Sequence, residues 1–250
     1  MGNPLRIKVD PHAPFSIGPD NPILKQIDNL PMRPKVMIAT PMSWNHVPRA
    51  HQICLDTLSW WSGCKFARPN GPTIYDMRNK SVESMFEHQM DSLMFIDADM
   101  TFPSDALERI IAHNLPIVSG FCRMRKRPFD PCIYIRTPQH EALSTRKPYV
   151  CLHPQPGSRG LMEVDACGGA FLYIRREVLE KIRWPWFMNR ECIKQVPIIK
   201  DDMLGEDLWF CDRATEAGYK IFVDLDMKIG HITSCVVQTT DDWTPILLVE

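Results

Sequence analysis

The sequence predicts an α/β protein: a single domain with a Rossmann-like, mostly parallel sheet flanked by helices. Two observations carry this prediction. Short segments that are apolar throughout, such as VMIA and LMFI, alternate with segments whose apolar residues recur every three or four positions. Strands that are apolar on both faces are typical of parallel sheets covered by helices on both sides. With 250 residues, the chain is long enough for one such domain.

The predicted elements follow one another along the chain. The runs KVMIATP, LMFI, PIVSGF, GGAFLYI and IFVDL predict buried strands, and CIYIR and YVCLH predict shorter β segments. Helical spacing appears first between Val47 and Trp61, and then in a second helix for which Ser81 is the expected N-cap. A third helix follows Pro103, and REVLEKI predicts a fourth. The segment GEDLWFCDRATEAGYK predicts a last helix that ends at Gly218, with Arg213 facing solvent.

Composition sets the expected boundaries of the domain. Residues 1–34 contain seven prolines and no periodic pattern, which predicts an extended N-terminal arm. The folded domain is expected to span residues 35–235. Residues 236–250 are expected to form a C-terminal tail.

The charge and cysteine content exclude several classes of protein. A formal net charge of −1 gives no general attraction to nucleic acid or anionic membranes, so a polyanionic partner would need a local basic patch. The nine cysteines form no CxxC pair, which favours free thiols in a reducing compartment. No signal-peptide pattern and no membrane-length apolar run is present, so we expect a cytoplasmic protein, in a microbe or in a cell that a virus has entered.

Two carboxylates at the end of a strand are the first candidate site. Asp97 and Asp99 follow the strand LMFI and point the same way, with Ala98 on the opposite side. Ligands of such sheets bind at the carboxyl ends of strands. Two converging carboxylates suit Mn²⁺ or Mg²⁺, which are commonly shared with the phosphates of a nucleotide. The alternative is that one aspartate caps the next helix and the other is solvated.

Three later motifs favour the metal interpretation. Gly168 and Gly169 precede a strand, where the missing side chains allow a close approach of backbone and ligand. Glu206 and Asp207 lie in the first turn of a helix, a position that the helix dipole alone would also explain. His231 follows a late strand behind a glycine and would otherwise be a structural histidine.

In this order, DxD, GGAF, GED and GH resemble the motifs of glycosyltransferases with the GT-A fold. The likeness runs from Lys35 to Ile232. It is greatest to the short, stand-alone enzymes related to family 2 that occur in bacteria and bacteriophages. The later half is also similar to the polypeptide N-acetylgalactosaminyltransferases. The resemblance implies a GT-A domain and a metal-dependent transfer of a sugar from a nucleoside diphosphate sugar, typically a UDP-sugar, to a hydroxyl group.

The same resemblance implies roles for individual residues. Asp97, Asp99 and His231 would hold Mn²⁺ or Mg²⁺. Asp207, or alternatively Glu206, would deprotonate the acceptor hydroxyl in an inverting enzyme and orient the substrates in a retaining one. The nucleotide and sugar of the donor are expected to contact Thr40, Pro41, Arg78, Asn79, Asp97, Ala98, Gly168 and Gly169.

Two further segments are candidates for contact with the acceptor or with phosphate. The basic stretch contains Arg123, Arg125, Lys126 and Arg127, and the aromatic loop contains Trp184 and Trp186. The basic stretch is interpreted as a clamp on the diphosphate, a contact with nucleic acid, or a solvated charge run. Phage enzymes of this class add sugars to hydroxymethylated bases in DNA, so modified DNA is one candidate acceptor and a saccharide or surface glycan is the other. The tryptophans would stack on the acceptor or form a buried cluster.

Two other functional classes were weighed. A nucleotidyltransferase on a related sheet would carry a glycine-rich phosphate loop after the first strand, and ATPMSWNHVPRAH contains no glycine. A non-catalytic relative would have lost one of the metal-ligating side chains, and all three are present.

Overall fold

The computed structural model of the chain describes residues 34–42, 47–58, 63–137, 148–189, 204–233, 235–239 and 245–249. Its helices are α1 (Arg49–Leu58), α2 (Ile74–Glu87), α3 (Ala106–Ala112), α4 (Arg176–Ile182) and α5 (Glu206–Glu216). Its strands are β1 (Val36–Ala39), β2 (Cys64–Ala67), β3 (Ser92–Ile96), β4 (Met100–Thr101), β5 (Ile117–Phe121), β6 (Ile133–Arg136), β7 (Tyr149–Cys151), β8 (Leu161–Val164), β9 (Ala166–Cys167), β10 (Phe171–Arg175), β11 (Ile221–Lys228), β12 (Gly230–His231), β13 (Cys235–Thr239) and β14 (Pro245–Val249).

A seven-stranded sheet in the order β2-β1-β3-β10-β5-β11-β8 forms the centre of the described domain. Strands β1, β2, β3, β5 and β11 run in one direction. Strand β10 is antiparallel to both of its neighbours, and β8 is antiparallel to β11. The predicted single-domain α/β fold with a mostly parallel sheet is confirmed. The reversal of β10, which the apolar pattern did not predict, brings the start of that strand to the edge where the parallel strands end.

Helices cover both faces of the sheet. Along β1, Met37 packs on one face with α2, α4 and α5, while Ile38 packs on the other face with α1 and α3. Strand β3 repeats this alternation with Phe95 and Met94. Burial of each large apolar side chain stabilises the fold by about 1.5–3 kcal/mol. Because both faces are covered, the strands are apolar throughout, and this explains why the sequence predicted them.

Helix α2 begins earlier than predicted. Thr73 is its N-cap, and the Thr73 hydroxyl accepts a hydrogen bond from the Asp76 N–H over 3.2 Å. Ser81, the expected N-cap, lies inside the helix, where it is buried and its hydroxyl donates to the Met77 carbonyl. The prediction of Ser81 as a cap was therefore wrong, because the threonine and aspartate pair satisfies the free N–H groups two turns earlier.

Arg213 is also placed differently from the prediction. Its guanidinium donates to the Pro185 carbonyl over 2.7 Å and to the Ile182 carbonyl. The side chain therefore ties α5 to the end of α4 rather than facing solvent.

The two termini are described only in part. The predicted N-terminal arm, apart from Pro34, lies outside the described residues. Within the predicted C-terminal tail, β13 and β14 pair as an antiparallel hairpin. Among the described residues, no helix combines the length and apolar character that crossing a membrane requires.

Candidate active site

The four predicted motifs meet at one edge of the main sheet. Asp97 and Asp99 follow the end of β3. Because β10 runs in the opposite direction, its start lies at the same edge, and the Asp97 N–H donates to the Ala170 carbonyl over 2.8 Å. Strand β12, which contains His231, pairs with β4 beside them. The Ile232 N–H donates to the Asp99 carbonyl over 2.7 Å, so the backbone joins the first motif to the last.

Asp99 and His231 face one another across this junction. Asp99 Oδ2 lies 3.3 Å from His231 Nε2 and accepts a hydrogen bond from Arg125 over 3.0 Å. The other ring nitrogen of His231, Nδ1, lies 2.9 Å from the Arg123 carbonyl. A carbonyl only accepts, so Nδ1 carries the hydrogen and Nε2 is directed at Asp99.

The same contacts set the charge states of the pair. Burial disfavours the ionised form of Asp99, but the hydrogen bond from His231 and the charges of His231 and Arg125 outweigh it and hold the pKa of Asp99 below its usual value. Burial alone would lower the pKa of His231, but the Asp99 carboxylate and the Arg123 carbonyl raise it. Once Nε2 of His231 has released its proton, this nitrogen and the ionised carboxylate of Asp99 fit the ligand set of a divalent ion, so the pair meets the chemical requirement for Mn²⁺ or Mg²⁺.

Asp97 is held by a buried arginine rather than by the histidine. Arg78 is 2% exposed, and its Nη2 lies 3.2 Å from both carboxylate oxygens of Asp97. The same guanidinium contacts Glu206 Oε1 over 3.2 Å and donates to the Gly169 carbonyl over 3.1 Å. Burial raises the pKa of Asp97 above its usual value. The positive charge of Arg78 opposes this shift, and the negative charge of Asp99 adds to it. Arg78 was predicted to contact the base or ribose, and the structure places it beneath the site, where it joins Asp97 to Glu206.

The close packing of Arg78 explains one of the two glycines. A Cβ atom added to Gly169 would lie 2.9 Å from Arg78 Cζ, closer than any side chain tolerates. At Gly168 the nearest atom would be Cys132 Cβ at 3.2 Å, with Asp207 Oδ2 at 3.7 Å. Gly169 is therefore required by the arginine behind it, an internal packing constraint that the sequence motif did not reveal.

Of the two carboxylates in the first turn of α5, Asp207 is the one that forms no ion pair with Arg78. Glu206 pairs with Arg78, whereas Asp207 accepts weaker backbone hydrogen bonds, from Leu208 N–H over 2.8 Å and from Gly169 N–H over 3.4 Å. Burial, reinforced by the charge of Glu206, raises the pKa of Asp207 to about 6. A carboxylate with a pKa in this range is suited to general base catalysis near neutral pH.

A cavity of about 310 Å³ opens beside the carboxylates. One end is apolar, and the other is charged. Its lining consists of Pro41, Met42, Pro72, Thr73, Ile74, Met77, Asp97, Ala98, Asp99 and Arg125. Thr40 is buried behind Pro41 and donates its N–H to the Ala67 carbonyl over 2.9 Å. The sequence interpretation missed the wall formed by Pro72, Ile74 and Met77, for which the only signal was the proline-rich turn before a helix.

Two predicted contact residues lie in the core instead. The side chain of Asn79 donates to the Phe187 carbonyl over 2.8 Å and accepts from the N–H groups of Trp186 and Phe187. Trp186 is 8% exposed, and its indole N–H donates to the Leu179 carbonyl over 2.8 Å. Both side chains fix the aromatic loop, and for Trp186 this is the buried cluster that was the alternative interpretation. Trp184 is 64% exposed and presents its ring to solvent.

The basic stretch divides into two groups. Arg125 reaches Asp99, and Arg123 donates to the Phe129 carbonyl over 2.9 Å. Lys126 and Arg127 are exposed and form no ion pair with any described residue. Lys228, which sequence analysis did not single out, lies 4.7 Å from the Phe121 ring centroid, on which Arg123 also packs.

Comparison with known proteins supports the fold. No family model and no curated protein matches the chain. The solved structure of the viral protein A197 from STIV is similar at 17% identity and a TM-score of 0.54, over 86% of this chain and 94% of A197. At this identity the likeness concerns the fold alone, and it supports the predicted α/β fold with a mostly parallel sheet.

Two other solved structures match less closely. GalNAc-T7 with UDP, GalNAc and Mn²⁺ is 10% identical, with a TM-score of 0.44 over 80% of this chain and 44% of that chain. The mannosyltransferase PcManGT from Pyrobaculum calidifontis, in complex with GDP-Man and Mn²⁺, is 13% identical, with a TM-score of 0.43 over 80% of this chain and 57% of that chain. No conclusion here depends on either of them.

The two glycines provide a matched pair of variants. Gly169→Ala is expected to lower the free energy of unfolding by about 1–3 kcal/mol, because the new methyl group displaces Arg78 from its ion pairs. Gly168→Ala is expected to cost less, because its nearest neighbour is a single Cβ atom that needs to move by only a few tenths of an ångström. Urea denaturation of both variants measures the difference. Equal stability of the two variants would contradict the packing role assigned to Gly169.

Proposed function

We propose that the protein is a GT-A-type glycosyltransferase that moves a sugar from a nucleoside diphosphate sugar to a hydroxyl acceptor, with Mn²⁺ or Mg²⁺ as its cofactor. One observation carries the proposal. The Asp99–His231 pair is built into the edge of the sheet, and Asp99 also lines the cavity whose far end is apolar. Asp207 lies against the glycine pair that precedes the neighbouring strand.

The shape and lining of the cavity support a nucleotide as the donor's leaving group. At about 310 Å³, it is in the range of small-molecule sites. Pro41, Ile74 and Met77 offer an apolar surface to a nucleobase, and Asp99 and Arg125 lie at the end suited to a diphosphate. A UDP-sugar is the donor that the sequence motifs favour. Asp97 also lines this cavity, and in this proposal it contacts a ribose hydroxyl or a metal-bound water.

The metal would be held by Asp99 and His231, with Asp97 nearby. When bound, a divalent ion would neutralise negative charge on the departing nucleoside diphosphate. Arg125 contributes a second positive charge at the same place. The hydrogen bond that His231 Nδ1 donates to the Arg123 carbonyl fixes the imidazole ring, so the ligand is oriented before the substrate arrives.

Asp207 acts on the acceptor in this proposal. In an inverting transfer it takes the proton from the acceptor hydroxyl while the oxygen forms a bond to the sugar and the bond between sugar and diphosphate breaks. Arg78 keeps Glu206 engaged, so only one carboxylate of the pair is available as the base. Burial keeps that carboxylate sparsely solvated, which raises its basicity.

For the acceptor, the finer proposal is a hydroxymethylated base in DNA. Lys126 and Arg127 are exposed on the loop that contains Arg125, and phosphate contacts from such residues supply sequence-independent affinity. The exposed ring of Trp184 offers a stacking surface of the kind that binds an unpaired base. A saccharide is the alternative acceptor.

The metal role is tested by Asp99→Ala. The variant is expected to lose Mn²⁺ binding in calorimetry and to lose sugar transfer, while its thermal unfolding changes little because the Asp99 side chain lies at the edge of the cavity and is 21% exposed. Glu87→Ala, an exposed carboxylate on α2, serves as the control and is expected to bind Mn²⁺ like the parent protein. Transfer at the parent rate by the Asp99→Ala protein would overturn the proposal.

The base is tested by the pH dependence of transfer. Asp207 must be deprotonated to accept a proton, so the rate is expected to fall as the pH is lowered through about 6. Glu206→Gln removes the like charge that helps to raise this pKa, so the acid limb of the profile is expected to move to lower pH. Asp207→Asn is expected to bind the donor but not to turn it over. An acid limb at the same pH in parent and Glu206→Gln proteins would argue against Asp207 as the base.

The acceptor is tested with the pair of exposed cations. Replacing Lys126 and Arg127 with glutamine is expected to weaken DNA binding and to flatten its salt dependence by about one to two units of log Kd per log salt concentration. Lys80 and Lys181, exposed on other helices, provide the control double variant. If the parent protein has no salt-dependent affinity for DNA, the DNA proposal fails and the saccharide alternative remains.

A further inference from the structure

A second cluster of metal-ligating side chains lies outside the donor site. It combines Asp130, at the end of the basic loop, with Cys151 and His153, at the end of β7. Their three ligand atoms, a carboxylate oxygen, a thiol sulfur and an imidazole nitrogen, all lie within 4.8 Å of one another. None of the three takes part in the proposed transfer.

The surrounding backbone places these side chains firmly. The Met124 N–H donates to the Asp130 carbonyl over 2.8 Å, and Arg123 forms an isolated bridge with Pro131. On the other side, β7 pairs with β6, and the Leu152 N–H donates to the Ile133 carbonyl over 2.8 Å. The cluster therefore joins two hydrogen-bonded segments rather than two free loops.

The distances between the ligand atoms are close to those of a metal site. His153 Nε2 lies 3.6 Å from Asp130 Oδ1. The Cys151 thiol donates to the Pro131 carbonyl over 2.9 Å, which holds the sulfur beside Asp130. In a tetrahedral zinc site such ligands are about 3.3–3.8 Å apart. Since no two ligand atoms are more than 4.8 Å apart, no separation has to close by more than roughly 1 Å to reach this geometry.

We propose that Asp130, Cys151 and His153 bind Zn²⁺ as a three-ligand site whose fourth position is open to solvent. Sulfur and imidazole nitrogen are ligands that Zn²⁺ prefers, whereas Mn²⁺ and Mg²⁺ prefer oxygen. A thiolate and a carboxylate together balance the two positive charges of the ion. The fourth position is open to solvent because the site lies at the surface: His153 is exposed, and Asp130 and Cys151 are half-buried.

The bound ion would join the basic loop to β7. Asp130 ends the loop that contains Arg123 and Arg125, so a metal bridge to Cys151 and His153 would fix the base of that loop. Zn²⁺ binds cysteine as the thiolate, so the Cys151 thiol releases its proton when the metal binds. The affinity for Zn²⁺ is therefore expected to increase with pH.

The test uses Co²⁺ and Zn²⁺ with the full chain, after chelation and removal of the chelator. Co²⁺ is expected to produce a thiolate-to-metal charge-transfer band and the visible absorption of a tetrahedral complex, and one equivalent of Zn²⁺ is expected to abolish both signals. Cys151→Ser and His153→Ala are expected to lose them. The Asp99→Ala protein is expected to retain them, so the result does not depend on the donor site.

Matched controls come from residues elsewhere in the chain. Cys54→Ser, which removes another half-buried thiol, and His88→Ala, which removes another exposed imidazole, are expected to keep the full Co²⁺ spectrum. Circular dichroism of Cys151→Ser and His153→Ala shows whether each variant is folded. A parent protein without the charge-transfer band, or a band of full intensity in folded Cys151→Ser, would overturn the proposal.

Discussion

A single buried guanidinium organises the candidate site. Arg78 comes from the middle of α2 and reaches Asp97 after β3, the carbonyl of Gly169 before β10, and Glu206 at the start of α5. A buried arginine without these partners would be costly, and each carboxylate without the arginine would be costly as well. The three segments are consequently held in one arrangement, and the residues proposed to bind donor, metal and acceptor take their positions from it.

This constraint separates two kinds of acidic residue that look alike in the sequence. Asp97 and Glu206 form ion pairs with Arg78. Asp99 lines the cavity, and Asp207 forms no ion pair with any described residue. In both motifs, one carboxylate therefore supports the structure by pairing with Arg78, and the other is the one to which we assign a chemical role in the proposed transfer. The DxD and GED motifs therefore each contain one carboxylate that pairs with Arg78 and one that does not, although they precede and follow the glycine pair in the sequence.

Local pattern predicted most of the fold because both faces of the sheet are buried, which makes each strand apolar along its whole length. The motif order also placed Asp99 and His231 in one site, and the structure brings them to 3.3 Å. The contacts of Arg78 could not be predicted, since its partner Glu206 is 128 positions away and no periodicity connects them. The packing of Asn79 against the Trp186 backbone could not be predicted for the same reason, because a polar residue next to a motif is not distinguishable by sequence from one that contacts a ligand.

The reversed strand β10 also affects how the chain reaches its final state. It pairs with β3 on one side and β5 on the other, although both of those strands are synthesised well before it. Until residues 171–175 leave the ribosome, the nascent chain carries two apolar strands with unpaired edges, which are the features that promote aggregation. Folding of the central sheet, and with it the donor site, therefore has to wait for the second half of the polypeptide.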